Sequence, residues 1–383
     1  MIWTPTKDNP MQTVSVPLFS IRHGQAYGLA SAVYNLVFGL SRCGVSVDLP
    51  YTQFDRLSPD FVDVATKDAA LSFSQYRSIK GGMPTRFVEE SLYALTKRTR
   101  GPVIFPNYFL PVAFPRASEG RFVIVHDCQH REFPNFFSEK KRKWLDFAFS
   151  RAFAVADKVF LISEFERKQI ARFYGEAAAA NCEVIYNSVD WGRYDGGEPS
   201  AKTQAIASEP YVLCVAHQYP HKQTLKIIEA ALVLSRKSES VKFVFVGKIS
   251  SEIEAFVQAA DEAGLSKVVI AGMVSDADLG HLYRNARLFV SASSYEGFGL
   301  PAVEAMGLGV PTLVSSTTSL PEVTLGKAHY CDPEAPAEEW AARIEDILHQ
   351  AYDPVGQAVL AEEVRRRYAP EVVANTVLRH IHS

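Results

Sequence analysis

The run Glu296-Gly297-Phe298-Gly299-Leu300-Pro301, with Glu304 eight positions beyond Glu296, gathers the residue types best suited to chemistry. Pro301 fits the first turn of a helix, where a missing N–H is no loss. Gly297 and Gly299 permit a tight turn and a close approach of a ligand to the backbone. A helix starting here aims N–H groups and the positive end of its dipole at the loop, an arrangement that favours phosphate. With phosphate on the N–H groups, Glu296 in the loop and Glu304 in the helix are left to hold neutral hydroxyls on either side. A sugar on one side and a ribose on the other meets that demand. For Glu296 the plainer alternative is a surface carboxylate beside a capping loop.

A rival phosphate motif overlaps this run. Gly297 to Ala302 formally matches G-x-G-x-x-A, the dinucleotide fingerprint. That fingerprint expects an acidic residue after the next strand, but VSSTTS (314–319) holds none, and the run lies late in its domain. NAD is the weaker reading. No GxxxxGK[ST] is present, which removes a P-loop hydrolase.

Other candidates lie at predicted strand ends. Lys222, in Tyr219-Pro220-His221-Lys222-Gln223, falls between a strand and a helix, which favours a site over a solvated charge. His126 and Asp127 follow the strand RFVIVHD (121–127) and are placed to face a cleft; a hydrogen-bonded core histidine is the alternative for His126. His126 and His130 are four apart, but after a strand they need not share a helical face, so a zinc pair is not favoured. Ser319-Leu320-Pro321-Glu322 has the S-x-x-E spacing of a capping box. FPNFFSEKKRKW (133–144) sets aromatics beside Lys140, Lys141, Arg142 and Lys143; a solvated helix start is the plainer reading, and the surface also suits an anionic membrane carrying a lipid-linked acceptor.

Strands alternating with helices must position these residues, the pattern of a parallel α/β sheet covered on both faces. In the first half, strands are predicted at 13–21, 45–50, 102–106, 121–127 and 158–163, and helices at 30–44, 140–156 and 165–175; 51–100 gives a weaker pattern, within which a helix is assigned to about 86–98. A second series follows, with strands at 211–216, 241–247, 267–272, 287–293 and 311–316 and helices between them. The boundaries predicted are an N-terminal acceptor-binding domain over 1–195, a linker over 196–209 and a donor-binding domain over 210–360. A C-terminal helix over 361–383 then returns to the first domain. Two such domains imply a cleft near strand C-terminal ends, where ligands of these sheets sit.

Composition sets the class. The chain has 383 residues, 47% hydrophobic and 22% charged, with net charge -3 from 40 basic and 43 acidic residues. That balance suits a globular protein and speaks against a general nucleic-acid binder. Apolar runs are strand-length, far below the ~20 residues of a membrane-spanning helix, and MIWTPTKDNPMQ lacks the basic start and apolar stretch of a secretion signal. Cys43, Cys128, Cys182, Cys214 and Cys331 are odd in number and dispersed, as expected for structural thiols in a reducing compartment. The chain reads as cytoplasmic, with peripheral membrane contact through 133–144 as the one open extension.

The pattern E-G-F-G-L-P-x-x-E-A-M-x-x-G-x-P resembles the signature of the retaining GT-B glycosyltransferases of family 4, with their E-x7-E motif. The resemblance is strongest from 205 to 335 and takes in GMVSDADLGHLYRNARLFVSASSYEGFGLP, SLPEV (319–323) and CDP (331–333). VIVHDCQHREFPNFF (123–137) is similar to the H-D-x-Q…P-x-F stretch of a mannosyltransferase-like subset, and VIYNSVD (184–190) resembles the exit from the first domain.

The resemblance implies a GT-B fold: two Rossmann-like α/β/α domains facing across a cleft. It also implies sugar transfer from a nucleoside-diphosphate donor to a saccharide or lipid-linked oligosaccharide, with retention and without a metal or other cofactor. No D-x-D motif stands at a strand end, consistent with that. GDP-mannose is the preferred donor, and lipopolysaccharide or surface-polysaccharide assembly the preferred setting. By the same resemblance, Glu296 contacts donor-sugar hydroxyls, Glu304 the ribose, and the backbone amides of Phe298, Gly299 and Leu300 the sugar and diphosphate. Lys222 neutralises the diphosphate, and Gly272, Met273 and Val274 hold the base. His126 touches the donor sugar, and Asp127 supports it or meets the acceptor. Tyr27 and Gly28 replace the family's Gly-Gly at a helix start near acceptor or diphosphate. Where many members carry Gly-Arg, this chain has Val215-Ala216-His217, so the second diphosphate cation is absent or supplied by His217 or His221. Two other classes remain in view: a non-catalytic nucleotide-sugar-binding scaffold, and a GT-B epimerase or phosphorylase.

Overall fold

The computed structural model describes residues 13–21, 27–79, 84–96, 101–112, 114, 120–236, 241–262 and 267–381. The chain divides into two compact units: Met1–Val189 with Tyr368–Ser383, and Asp190–Arg367.

Among the described residues, the first unit holds a parallel sheet of seven strands in the order β3-β2-β1-β4-β5-β6-β7. They are β1 (Val14–Ser15), β2 (Val47–Tyr51), β3 (Leu71–Gln75), β4 (Val103–Phe105), β5 (Arg121–Val125), β6 (Lys158–Leu161) and β7 (Cys182–Val184). The central strands β4 and β5 are mostly apolar (VIF and RFVIV), as expected where helices cover both faces. Val123, Val125, Val159 and Leu161 are buried with Leu145 and Phe149 of the helix Glu139–Val155. That helix starts where Ser138 caps it, its hydroxyl accepting from the Lys141 N–H at 3.3 Å.

The second unit holds six parallel strands in the order β10-β9-β8-β11-β12-β13. These are β8 (Tyr211–His217), β9 (Lys242–Lys248), β10 (Val268–Gly272), β11 (Leu288–Ser291), β12 (Thr312–Ser315) and β13 (His329–Cys331). Ile227, Ile228 and Leu234 of the helix Thr224–Ser235 pack with Phe243, Phe245, Trp340 and Ile344 in its core. In each unit the strand order reverses beside the first strand, between β1 and β4 and between β8 and β11. Ligands of doubly wound sheets bind at that switch point, outside the strand C-terminal ends.

Several expectations change in detail. The strand expected over 13–21 is registered only at Val14–Ser15. The Val16 and Leu18 N–H groups still bond to β2, at 2.8 Å each, but Pro17 has no N–H with which to extend the pairing that Ser15 makes to Pro102. Three edge strands, β3, β7 and β13, were not read from the sequence; β7 and β13 have three residues each, and β3 alternates Leu71 and Phe73 with serines. The stretch 196–209 is not an open linker: it belongs to the second unit and contains the helix Ala201–Ile206, whose Thr203 and Ile206 are buried. The return to the first unit occurs at Tyr368, because the helix Pro354–Arg367 packs in the second unit, where the Arg365 Nε donates to the Gly307 carbonyl. The helix Pro370–Ile381 then joins the first unit, burying Val373, Ala374, Val377 and Leu378.

Candidate active site

In the second unit, the turn after β8 and the loop after β11 flank the switch point. The His221 carbonyl accepts from the Ser294 N–H at 2.8 Å, tying the two together. This brings the Lys222 ammonium to 2.6 Å from Glu296 Oε1, across 74 positions of sequence. Both side chains are largely but not wholly buried, Lys222 at 27% exposure and Glu296 at 13%. His221 is buried and stacks on the ring of Tyr219 at 5.7 Å between centroids. The His217 side chain, the other candidate for a second cation, lies outside the described residues.

Gly299 opens the helix Leu300–Gly307 in the left-handed region, with φ 88°. The positive φ favours glycine, and a Cβ there would lie 2.7 Å from Leu320 Cδ2, so a larger residue would have to displace the tip of that side chain. Phe298 is buried and Leu300 is the first helical residue, which sets this backbone at a helix N-terminus as the sequence predicts. Glu304, one turn further on, is 6% exposed. Its Oε2 lies 3.0 Å from the Tyr283 hydroxyl, which is also 3.3 Å from the Pro301 carbonyl. Burial first, and the Glu304 charge second, push the Tyr283 and Tyr194 hydroxyls well above their ordinary values. Burial would lower the Arg193 guanidinium; the neighbouring Tyr194, Glu304 and Asp276 outweigh it and hold it above its usual value. Arg193 lies over the Tyr194 ring at 4.7 Å and pairs with Asp276 at 3.2 Å. Sequence reasoning missed this support for Glu304, since Tyr283, Tyr194 and Arg193 belong to no spaced motif.

Gly272, with φ 76°, ends β10. Met273 is exposed at 56% and Val274 is half-buried. One strand, β9, separates β10 from β8, so at about 4.8 Å per strand these three residues lie roughly 10 Å along the same sheet edge from the β8 turn.

His126, Asp127, Tyr27 and Gly28 belong to the first unit. His126 follows β5 and its Nε2 lies 2.9 Å from the Pro106 carbonyl. A carbonyl only accepts, so Nε2 carries the hydrogen and Nδ1 is left as an acceptor. Burial pushes this imidazole down to about 4, against a smaller opposing effect of the Pro106 bond, so it is neutral at pH 7. It borders a cavity of about 10 Å³ lined also by Ile185, Asn187 and Ser188, about the size of one water. Asp127 is exposed, and its Oδ1 accepts from the Gln129 N–H at 3.1 Å. His130 turns elsewhere, with Nε2 3.2 Å from Asp146 and 2.9 Å from the Tyr174 hydroxyl. Tyr27 and Gly28 begin the helix Tyr27–Arg42; the Tyr27 side chain and the preceding 22–26 lie outside the described residues.

Residues 198–366 match the family Glycosyl transferases group 1. O-antigen chain mannosyltransferase B of Escherichia coli is 28% identical over 233 residues, which is 60% of this chain and 60% of that protein. A serotype-specific mannosyltransferase WbdA of Escherichia coli is 36% identical over 180 residues, 45% of this chain and 22% of that protein. This chain therefore aligns with less than two thirds of the length of either relative. The crystal structure of Anabaena HepE in complex with UDP-glucose matches 97% of this chain and 99% of that chain with a TM-score of 0.69 at 17% identity. With two doubly wound parallel units, that likeness gives the chain the GT-B fold class expected from its sequence. The sheet edge carrying Lys222, Glu296 and Glu304 lies within residues 198–366, the stretch that matches the Glycosyl transferases group 1 family.

Proposed function

We propose that this chain is a retaining glycosyltransferase that moves a sugar from a nucleoside-diphosphate donor to a hydroxyl acceptor in O-antigen-like surface-polysaccharide synthesis. The observation that carries this reading is the Lys222–Glu296 pair at 2.6 Å, beside the helix start at Leu300 and at the switch point of its sheet. Mannose, carried as GDP-mannose, is the preferred sugar because the relatives with matching sequence bear the name mannosyltransferase. HepE, solved with UDP-glucose, supports a sugar nucleotide as donor and leaves the base to experiment.

In the mechanism that suits these groups, the bond between the sugar C1 and the diphosphate oxygen breaks. A bond from C1 to the acceptor oxygen forms on the same face. The acceptor proton passes to the leaving diphosphate, so no enzyme nucleophile is needed. Lys222 and the N-terminus of the helix Leu300–Gly307 offset the charge that grows on the leaving group. With that charge met by the chain's own groups, the reaction is proposed to need no metal, and EDTA is expected to leave it intact. Glu296 holds sugar hydroxyls and Glu304 the ribose, while Gly272, Met273 and Val274 accommodate the base. His126, with Nδ1 open as an acceptor, meets a sugar hydroxyl, and Asp127 and the helix start at Tyr27 and Gly28 belong to the acceptor side.

The acceptor is proposed to be lipid-linked and met at a membrane surface. The helix Glu139–Val155 exposes Lys140, Lys141 and Lys143, and Phe136 and Phe147 are each about half exposed. Trp144 links Phe147, at 5.7 Å, to Phe87 of the helix Pro84–Thr96, at 4.6 Å. On that second helix Val88, Leu92 and Leu95 form an exposed stripe.

Thermal unfolding of the chain against GDP, UDP, ADP, dTDP and CMP tests the donor site. A ligand at 100 times its Kd stabilises the fold by about 2.7 kcal/mol, so one diphosphate is expected to raise the midpoint. The matching sugar nucleotide should then release its diphosphate in an acceptor-dependent way. Absence of any shift rejects the reading. Interconversion of the sugar nucleotide without acceptor would identify an epimerase instead.

A further inference from the structure

Glu296 stands in a loop, yet its backbone is gripped at both ends by the segment that follows β12. Its N–H donates to Thr318 Oγ1 at 3.3 Å, and its carbonyl accepts from Ser319 Oγ at 2.8 Å. The Thr318 hydroxyl sends its own hydrogen to the Thr317 carbonyl at 2.7 Å, which leaves its lone pairs for Glu296. The capping-box reading of Ser319 does not hold: Ser319 is the N-cap of the helix Leu320–Val323, but its side chain makes no capping bond because the hydroxyl is committed to Glu296. Thr318 is held at φ 59°, a conformation that a β-branched residue adopts only where its surroundings enforce it. Leu320 completes the contact, its Cδ2 filling the space a Cβ would need at Gly299. Residues 318, 319 and 320 thus contact, in turn, the N–H of Glu296, its carbonyl and the glycine three positions on.

We propose that Thr318 and Ser319 are positioning residues that fix the direction in which the Glu296 carboxylate leaves the backbone, toward Lys222 and the donor sugar. The inference rests on the proposed role of Glu296 at the sugar. A carboxylate that contacts a reacting sugar must be placed to within a fraction of an ångström, and a misplacement of about 1 Å costs on the order of 100-fold in rate. Side-chain packing alone does not set that direction for a loop residue. Two hydrogen bonds on its own peptide groups do, and the strained Thr318 is what aims one of them.

The test is a mutant cycle in the full chain, read as release of nucleoside diphosphate from GDP-mannose or UDP-glucose, whichever the wild type turns over. Ser319→Ala and Thr318→Val are expected to lower kcat about 10-fold while KM for the donor changes less than about twofold. Thr318→Ser, which keeps the hydroxyl, recovers most of the loss seen in Thr318→Val. On a Glu296→Gln background, Ser319→Ala is expected to lower kcat by less than about twofold more, since the clamp acts through the carboxylate. Unchanged kcat in both hydroxyl variants overturns the proposal, as does a full multiplicative loss on the Glu296→Gln background, or no rescue by Thr318→Ser. Where Ser319→Ala does not fold, the Thr318 pair decides. A wild type that neither binds nor turns over either sugar nucleotide rejects the glycosyltransferase reading and this one with it; an active wild type with indifferent variants rejects the clamp alone.

Discussion

Lys222 has two prospective partners and one charge. Its pair with Glu296 is largely but not wholly buried, and the ammonium can exchange that carboxylate for a stronger anion. A diphosphate, with more charge and several acceptor oxygens, is the anion proposed for it. Lys222→Ala is therefore expected to weaken nucleoside-diphosphate binding by about 10- to 100-fold, the range of a hydrogen bond to a charged group, with little change in the melting point of the ligand-free chain. Calorimetric titration measures the first and thermal unfolding the second; unchanged affinity would remove Lys222 from the site. His126 makes a different prediction. Burial holds its folded-state value down to about 4, below the ~6.5 of an unfolded chain. Between those values the unfolded state binds more protons, so the stabilisation is complete above about pH 6.5 and is lost as pH falls toward 4. Melting curves from pH 7.5 to 4.5 should show that decline, and His126→Gln should flatten it.

At the scale of elements, legibility followed how many signals agreed. The helix Leu300–Gly307 was readable because Gly299, Pro301 and the strands on either side all mark its start. The helix Pro84–Thr96 came out within two residues of its predicted span, whereas β3 did not, since an edge strand of alternating serines carries little apolar signal. The same limit hid the support of the site. The Glu296, Glu304 and Lys222 positions follow from a local pattern, but Tyr283 reaches the Glu304 carboxylate and Ser319 the Glu296 backbone carbonyl only through folding, and the spacing of Ser319 pointed to a partner it does not use. Gly299→Ala tests the glycine loop as an element. A left-handed alanine costs about 1–2 kcal/mol, with the Leu320 side chain having to shift as well, so a clear drop in melting temperature is expected. The basic and apolar surface of Glu139–Val155 and Pro84–Thr96 predicts sedimentation with vesicles containing phosphatidylglycerol and not with pure phosphatidylcholine. High salt, or Leu92→Ser with Leu95→Ser and Phe147→Ser, should release the protein; equal binding to both vesicles would argue against this surface.

For the whole molecule, the path of the chain matters more than its length. Among the described residues no helix is long and apolar enough to cross a membrane, and both units are built as ordinary parallel α/β sheets. The first unit, however, is completed only by Pro370–Ile381. That helix meets Tyr27–Arg42 so closely that a Cβ on Gly39 would lie 2.3 Å from the Pro370 carbonyl oxygen, and Arg42 pairs with Glu371 at 3.3 Å. Its buried apolar side chains, among them Val373, Ala374, Val377 and Leu378, contribute several kcal/mol, a large share of an ordinary domain's ~5–15 kcal/mol. A chain ended at Arg367 is expected to melt its first unit at markedly lower temperature, with the Asp190–Arg367 unit less affected; hydrogen exchange resolved by segment separates the two. The same path fixes an order of events during synthesis. Domains generally complete folding from the N-terminus onward as the ribosome elongates at about 5–20 residues per second. Here the first unit must wait for all of Asp190–Arg367 to be made, roughly 10 to 35 seconds at those rates, with its Tyr27–Arg42 helix uncovered. The second unit finishes first, and the nascent first unit is where a chaperone would be needed.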